Sequence, residues 1–344
     1  MGNPFTLTFG KKPGEYIIRH QSTTEVTSAF MEEPARYQTY LITGVRGSGK
    51  TVLMTSIARD IAEDKDWICV DLNATQNLIE DFSYRLADAC ENMGNILDRG
   101  IDISAVGFGI GIGGKSDRDS VSRCEHILDD IVKKKKKVLI TIDEVTNDKS
   151  MKQFASQFQI WIRKDYPIYL LMTGLYENIN AIQNNPQLTF LLRSPKIVLE
   201  PLSFVQIAKQ YEKSLQISEM QALELAKVTK GYAFAFQALG MLYWDAKEKV
   251  DMNEILSELD KLLDEYVYHK IWEVLTEQEK KIVISMGDDT VQKVQQICDN
   301  TGMTSQIFSK YRERLINKGI IKPAGHGYVE ITLPRFSRTC RFYS

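Results

Sequence analysis

One octapeptide constrains the fold of this chain more than any other feature. Residues 44–51 match the pattern G-x-x-x-x-G-K-[ST] at every fixed position. A β-rich run at residues 40–43 precedes the octapeptide, and a helical pattern from Thr51 to Ala62 follows it. Glycines allow such a loop to turn tightly, so that backbone N–H groups and the helix N-terminus face phosphate oxygens. The segment therefore predicts a phosphate-binding loop inside a parallel α/β sheet.

Two side chains of this loop are expected to carry chemistry. Lys50 would reach the β- and γ-phosphates of a nucleotide, and the Thr51 hydroxyl would bind Mg²⁺. The predicted ligand is ATP or ADP with Mg²⁺. The residues expected to contact the nucleotide are Gly44, Val45, Arg46, Gly47, Ser48, Gly49, Lys50 and Thr51.

A carboxylate at the end of a second buried strand should complete the metal site. Residues 138–142 are an apolar β-rich run, and Asp143 and Glu144 follow it directly. We expect Asp143 to hold Mg²⁺ through water and Glu144 to orient the attacking water. Thr173 ends the next apolar run and is placed to sense the γ-phosphate. For the carboxylate pair, the alternative is that it only starts a turn. For Thr173, the alternative is an ordinary threonine at the end of a strand.

The pattern along the chain changes twice, which predicts three domains. Apolar β-rich runs alternate with helical stretches up to Pro201, and nearly unbroken apolar strands of this kind indicate a parallel sheet covered on both faces. Residues 203–268 are helical in pattern, with Gly231 and Gly240 as the interruptions, and short helices with two β runs follow. We predict an α/β P-loop domain at 1–201, a helical lid at 202–270 and a winged helix at 271–344. The predicted strands are 40–43, 67–71, 138–142, 168–172 and 197–199.

Composition indicates a soluble globular protein, with 43% apolar and 26% charged residues. No run of about 18 uncharged apolar residues is present, and the first residues lack the basic head and apolar run of a signal peptide. The five cysteines are scattered without a Cys-x-x-Cys pair, which favours reduced thiols over a metal site. We therefore expect a cytoplasmic protein that does not bind membranes.

Two segments are unusual in composition. Lys133 to Lys137 are five consecutive lysines, which we expect to lie in solvent at a helix end, with nucleic-acid binding as the alternative. Residues 106–114 alternate apolar residues with glycine. They do not lead from a strand into a helix as a dinucleotide-binding fingerprint would, so we expect a Gly-rich strand or hairpin there.

The last part of the chain has the pattern of a helix-turn-helix with a wing. Helices are predicted at 275–286, with Thr276 and Glu279 as a capping box, at 291–298 and at 304–317. The third helix would bury Ile307, Phe308, Tyr311 and Leu315 and expose Ser305, Gln306, Ser309, Lys310 and Arg312. Strands at 320–321 and 328–331 would form the wing.

Charge is unevenly distributed along the chain. Its formal net charge is −2, which gives no overall attraction for nucleic acid. Residues 302–344 nevertheless contain eight basic and two acidic residues, an excess of six positive charges. The third helix could therefore enter the major groove of double-stranded DNA, with Arg335, Arg338 and Arg341 continuing its surface. The alternative is a module that binds protein.

The order of these features along the chain resembles the AAA+/STAND branch of P-loop ATPases, and in particular the origin-recognition-type ATPases. That order is the phosphate loop, the Asp-Glu strand, the strand ending in Thr173, the helical segment and the winged helix. More closely, the chain is similar to bacterial AAA-family "ATP-binding proteins". The stretches that carry this resemblance are Asn3–Gly10, Arg46–Thr51, Ile142–Val145, Leu188–Leu191, Gly231-Tyr232 and Ala324–Gly327.

This resemblance implies further site residues. Arg193, ahead of the fifth strand, matches the arginine that senses the γ-phosphate or reaches it from a neighbouring protomer, which would require self-association. Arg19 matches an arginine beside the base, although Ile18 stands where the family has glycine. Gly231-Tyr232-Ala233 lacks the proline of the STAND Gly-x-Pro.

Three functions follow as hypotheses. The first is an ATPase whose nucleotide state repositions the winged helix on DNA. The second is a STAND-type signalling switch whose winged helix faces protein, without nucleic acid. The third is a regulator that binds nucleotide but hardly hydrolyses it.

Overall fold

The computed structural model describes residues 2–8, 14–92, 117–246, 251–287 and 291–343. These residues form two compact units, which are considered separately. The sheet unit comprises Arg19–Thr43 and Leu53–Val198, and the lid unit comprises Met1–Ile18, Gly44–Val52 and Leu199–Ser344. The domain boundaries at 201/202 and 270/271 stay predictions. The glycine-rich segment 106–114 lies outside the described residues.

A five-stranded parallel sheet forms the centre of the sheet unit. Its strand order is β2-β3-β4-β1-β5, and every neighbouring pair runs parallel. All residues of β1 and β4 are buried, as expected for strands covered on both faces. The edge strand β5 differs from the prediction, because Val198 is 52% exposed. The strands are β1 Thr39–Thr43, β2 Trp67–Leu72, β3 Lys137–Ile142, β4 Ile168–Gly174 and β5 Lys196–Val198.

Helices connect these strands, as parallel pairing requires. Phe82, Phe154 and Trp161 form an aromatic cluster in the core of this unit, and each side chain is fully buried. The helices associated with the sheet are α1 His20–Met31, α2 Lys50–Ala62, α3 Leu78–Asn92, α4 Asp117–Lys133, α5 Lys149–Arg163, α6 Tyr176–Gln183 and a 3₁₀ helix at Pro186–Arg193.

The run of lysines lies between α4 and β3, and much of its charge is paired. Lys133 contacts Asp130 at 2.7 Å, and Lys136 contacts Asp66 at 2.8 Å. Lys137 departs from the expected solvent position, because it opens β3, contacts Glu33 and lies over the Trp67 ring. Three of the five lysines are therefore in contact with acidic side chains.

The first part of the lid unit is helical, as predicted. Gly231 adopts φ +76° between two helices, where a Cβ would lie 2.5 Å from the Leu202 carbonyl. Gly240 does not interrupt a helix as predicted, because it lies inside α9 and makes room for the Phe5 ring. The helices are α7 Phe204–Leu215, α8 Glu219–Val228, α9 Ala233–Ala246, α10 Met252–Leu263, a π-helix at Asp264–Tyr268 and α11 His269–Glu273.

The last part of the lid unit is a winged helix, with a three-stranded antiparallel sheet in the order β6-β8-β7. The Thr276–Glu279 capping box is present. The helix predicted at 291–298 is partly wrong, because residues 292–293 pair with β8 before the helix begins. The elements are α12 Glu277–Ser285, β6 Gln292–Lys293, α13 Val294–Thr301, α14 Ser305–Asn317, β7 Ile321–Pro323, β8 Tyr328–Ile331, α15 Phe336–Cys340 and a 3₁₀ helix at Arg341–Tyr343.

The burial of α14 also differs from the prediction at one position. Phe308 and Leu315 are buried and Tyr311 is half-buried, as a core-facing stripe requires. Ile307 was expected in the same stripe, but its side chain is 49% exposed. The helix turns about 100° per residue, which places Ile307 on the flank of that stripe.

Within the residues that the structure describes, no helix combines the length and the apolar character needed to span a membrane.

Candidate nucleotide site

The carboxyl ends of three neighbouring strands meet at one edge of the sheet unit. Thr43 pairs with Gly174 at the ends of β1 and β4, and Ile142 at the end of β3 pairs with Met172. The phosphate loop continues directly from Thr43 in the chain. Ligands of open α/β sheets bind outside the carboxyl ends of the strands. The predicted residues Asp143, Glu144 and Thr173 follow or end strands at this edge.

Thr173 is held between the two carboxylate residues. Its side chain is fully buried, and its hydroxyl donates a hydrogen bond to Oδ1 of Asp143. The same hydroxyl oxygen accepts the backbone N–H of Glu144 at 3.2 Å. The N–H of Val145 in turn donates to the Thr173 carbonyl at 2.8 Å. Thr173 therefore fixes the orientation of the Asp143 carboxylate and of the chain that follows it.

Glu144 has an unusual backbone conformation beside this cluster. Its φ is +52°, in the left-handed region that non-glycine residues seldom adopt. Its N–H also donates to Asp143 Oδ1 at 3.1 Å, which stabilises the turn, and the side chain is exposed. Strained conformations of this kind persist where surrounding hydrogen bonds enforce them, and they are common at functional sites.

The phosphate loop is part of the lid unit. Gly47 and Gly49 have φ of +75° and +91°, which explains the need for glycine at both positions. The Ser48 N–H donates to the Val45 carbonyl at 3.2 Å and closes a turn within the loop. The α2 helix begins at Lys50, so the N–H groups of its first turn lie in the phosphate-binding segment.

Lys50 is folded back over its own loop. Its side chain is only 8% exposed, and Nζ donates to the carbonyls of Gly44 and Val45, both at 3.2 Å. A cation held at the start of a helix, beside backbone N–H groups, suits a polyanionic ligand. The residues present thus fit a nucleotide phosphate group.

Two lid residues that the sequence reading did not assign contact this loop. The hydroxyl of Tyr232 donates to the carbonyl of Arg46, and the N–H of Phe234 donates to the carbonyl of Gly47 at 3.1 Å. Phe234 is the second residue of α9, so its N–H has no acceptor within the helix. Burial raises the pKa of the Tyr232 phenol well above its usual value, so the group stays a hydrogen-bond donor. A tyrosine at this position has no motif that would reveal the contact.

The two arginines implied by the resemblance both lie in the sheet unit. Arg193 is exposed at the end of the 3₁₀ helix, three residues before Lys196, where the short β5 begins to pair with β1. Arg19 is half-buried and immediately precedes α1. Their contacts with phosphate and base stay predictions.

Cysteine chemistry does not contribute to this site. All five cysteines are free. Burial raises the pKa of Cys69 to about 11 and the pKa of Cys90 and Cys124 to about 12, so these thiols stay protonated near neutral pH.

The basic C-terminal residues are less available than their number suggests. Lys318 contacts the buried Glu279 at 3.0 Å, Lys322 pairs with Glu330, and Arg335 pairs with Asp260. Arg312 is half-buried, contrary to the prediction of an exposed side chain. The basic residues of this region that remain exposed, apart from the paired Lys322, are Lys310, Arg314, Arg338 and Arg341.

Comparison with known proteins gives a consistent fold but little sequence similarity. Residues 265–338 match a domain of unknown function (DUF8462). No curated protein matches the chain in sequence.

The solved structures that align over nearly the whole chain include an ORC2 protein and a Cdc6p protein. The ORC2 protein of Aeropyrum pernix, in ADPNP–ADP complexes, is 12% identical, with 97% of this chain and 96% of that chain covered and a TM-score of 0.61. Cdc6p of Pyrobaculum aerophilum is 15% identical, with 96% and 94% covered and a TM-score of 0.51. At this level of identity the likeness concerns the fold. The chain therefore has the fold of the origin-recognition-type AAA+ ATPases, in which a parallel α/β sheet is followed by a helical lid and a winged helix.

Proposed function

We propose that this protein binds ATP and ADP at residues 44–51. The observation that carries the proposal is the loop itself, in which two left-handed glycines and a buried lysine lie at the N-terminus of a 13-residue helix. The lysine ammonium is positioned by carbonyls of its own loop, so little reordering is needed when phosphate binds. The fold shared with an origin-recognition protein studied with ADPNP and ADP supports the same ligand.

Hydrolysis is the second part of the proposal. The oxygens of Thr51 and Asp143 are the proposed Mg²⁺ ligands, since Mg²⁺ prefers hard oxygen donors. When bound, the ion neutralises charge on the β- and γ-phosphates. Glu144 would orient the attacking water. Thr173 would respond to the γ-phosphate through the hydrogen bonds that it makes with Asp143 and the Glu144 backbone.

The direct test uses purified wild-type protein. Titration calorimetry with ATP and ADP, with Mg²⁺ and then with excess chelator, should show binding, with ATP binding strengthened by Mg²⁺. Phosphate release under single-turnover conditions measures hydrolysis apart from product release. Absence of nucleotide binding would refute the proposal, and binding without hydrolysis would select the nucleotide-binding regulator.

We further propose that nucleotide state repositions the winged helix and that this module binds double-stranded DNA. Ser305, Ser309, Lys310 and Arg314 are exposed on α14, the helix that enters the major groove in helix-turn-helix proteins. Fluorescence anisotropy with duplex DNA, over a range of salt and with ADP or ATP, tests this step. Binding that depends on both salt and nucleotide would support it.

A specific observation favours the second candidate, a signalling switch with a protein-facing winged helix. Ile307, Val291 and Tyr328 are apolar side chains of this module that are 40–49% exposed. Exposed apolar side chains that form a contiguous patch mark protein-binding surfaces. If duplex DNA does not bind at about 50 mM salt, the DNA proposal fails in favour of this candidate.

A further inference from the structure

The lid helix α9 begins beside the phosphate loop, and Tyr232, the residue just before this helix, contacts the loop. A Cβ placed on Gly47 would lie 2.3 Å from the Tyr232 hydroxyl oxygen, well inside van der Waals contact. A side chain at residue 47 would displace the Tyr232 hydroxyl from its present position, and the φ of +75° also disfavours one. The absence of a side chain at Gly47 leaves the room that the Tyr232 hydroxyl occupies.

The contact has a direct consequence for the direction of one backbone N–H group. The C=O and N–H of a trans peptide point in opposite directions. Tyr232 holds the Arg46 carbonyl toward the lid, so the N–H of Gly47 in the same peptide points away from the lid. The next carbonyl, that of Gly47, is held by the Phe234 N–H. Two successive peptides of the loop are therefore oriented from outside it.

The same tyrosine connects the loop to the winged helix. Its ring stacks on Tyr268, with centroids 6.3 Å apart and planes at 25°. Tyr268 ends the π-helix between α10 and α11, donates its hydroxyl hydrogen to the Pro334 carbonyl and packs edge-on against Phe336 at 4.8 Å. Single π-helical turns of this kind are frequent at functional positions. A continuous series of contacts thus runs from Arg46 to the segment that follows β8.

We propose that Tyr232 is a positioning residue of the nucleotide site, which aims the Gly47 N–H at phosphate and links phosphate binding to the winged helix through Tyr268. The proposal rests on nucleotide binding at residues 44–51. A nucleotide that binds only this loop conformation stabilises the contacts of Tyr232. By reciprocity, loss of those contacts weakens nucleotide binding. Tyr232 contacts the backbone of the loop and not the reacting atoms. Its effect on nucleotide binding is therefore exerted through the conformation of the loop.

The test compares two substitutions of the same kind. Tyr232→Phe removes the hydroxyl that binds the loop. Tyr211→Phe removes a buried hydroxyl of the same unit, which donates to the Phe236 carbonyl at 2.7 Å and does not contact the loop. We expect Tyr232→Phe to weaken ADP and ATP binding by about two- to tenfold, the value of one hydrogen bond, and Tyr211→Phe to leave affinity unchanged. Urea unfolding of both variants without nucleotide controls for general loss of stability.

A second measurement examines the link to the winged helix. Hydrogen exchange with and without ADP should show protection of residues 265–272 and 332–338 in wild type and in Tyr211→Phe. Tyr268→Phe, which removes the bond to Pro334, should lose this protection and, by the same reciprocity, should weaken nucleotide binding by no more than Tyr232→Phe does. If Tyr232 had only a structural role, Tyr232→Phe would not change the difference between hydrogen exchange with ADP and hydrogen exchange without ADP.

The outcomes separate this inference from the function on which it rests. If wild type binds no nucleotide, the proposed function and this inference both fail. If wild type binds ADP and Tyr232→Phe binds it as tightly as Tyr211→Phe or more tightly, the inference alone is refuted. Equal exchange of 332–338 with and without ADP in wild type would refute the link to the winged helix.

Discussion

The phosphate loop and the basic C-terminal residues are two regions in which positive charge was expected to meet phosphate, and they differ in how that charge is arranged. In the loop, one lysine is buried and is held by two carbonyls of its own turn. In the C-terminal region, three of the eight basic residues are in contact with acidic partners of the lid unit. The loop places one lysine charge at a helix N-terminus, whereas part of the C-terminal positive charge is paired with acidic side chains of the same unit.

This difference shows why a count of charges along a sequence overestimates a binding surface. Arg335 is 15% exposed and pairs with Asp260, a partner that lies 75 residues away in the chain. Its charge helps to fix α10 against the segment before α15 and adds little to an external field. The charge that is available for binding therefore depends on the position and pairing of each group rather than on the net charge.

The largest expected effect is at Lys50. Lys50→Ala removes the ammonium group that is proposed to bind the β- and γ-phosphates and should weaken ATP binding about a thousandfold or more. Calorimetric titration measures the change, with Lys209→Ala, an exposed lysine of α7, as the matched control. Unchanged ATP affinity in Lys50→Ala would show that the loop is not the nucleotide site.

Glu144→Gln should separate binding from hydrolysis. The amide keeps the size of the side chain but cannot act as a base, so single-turnover hydrolysis should fall about a thousandfold while ATP affinity is retained. Glu63→Gln, an exposed position at the end of α2, should behave as wild type. Wild-type hydrolysis in Glu144→Gln would exclude Glu144 as the water-orienting residue.

Arg193→Ala should have a smaller effect on the same rate. Loss of one donor to charge that develops in the transition state should lower hydrolysis about a hundredfold with little change in ATP affinity. The exposed Arg163→Ala in the same unit is the control.

The same variant tells whether Arg193 acts within one chain or between chains. A mixture of Arg193→Ala and Glu144→Gln proteins should recover partial activity if the arginine acts on a neighbouring protomer. Activity per molecule that is independent of protein concentration, in a monomer, would exclude that arrangement.

The smallest effect should distinguish free from paired cations in the winged helix. Lys310→Ala should flatten the log–log dependence of DNA affinity on salt by about 0.9, since one phosphate contact is lost, and Arg314→Ala should do the same. Lys322→Ala removes one lysine that is already paired with Glu330, so the slope should stay near the wild-type value. Equal slopes for Lys310→Ala and Lys322→Ala would contradict the assignment of α14 as the DNA-facing element.

Local patterns in the sequence determined the parts of the fold that depend on residues close together in the chain. The phosphate loop was predicted from eight consecutive residues, and the Thr276–Glu279 capping box from a spacing of three. The five parallel strands were located by their apolar runs, with ends that differ by one or two residues. These features follow from backbone dihedrals and from side-chain periodicity, which are encoded within a few residues.

Only the tertiary structure decided which side chains are neighbours. Tyr232 and Arg46 are 186 residues apart, and Thr173 and Asp143 are 30 apart, so no local pattern could pair them. The exposure of Ile307 and the pairing of Lys318, Lys322 and Arg335 likewise depend on how distant elements pack. The physical reason is that a glycine or a helix cap affects the backbone of the residues next to it in the chain. Burial and ion pairing instead depend on residues that are distant in the sequence and are brought into contact by folding.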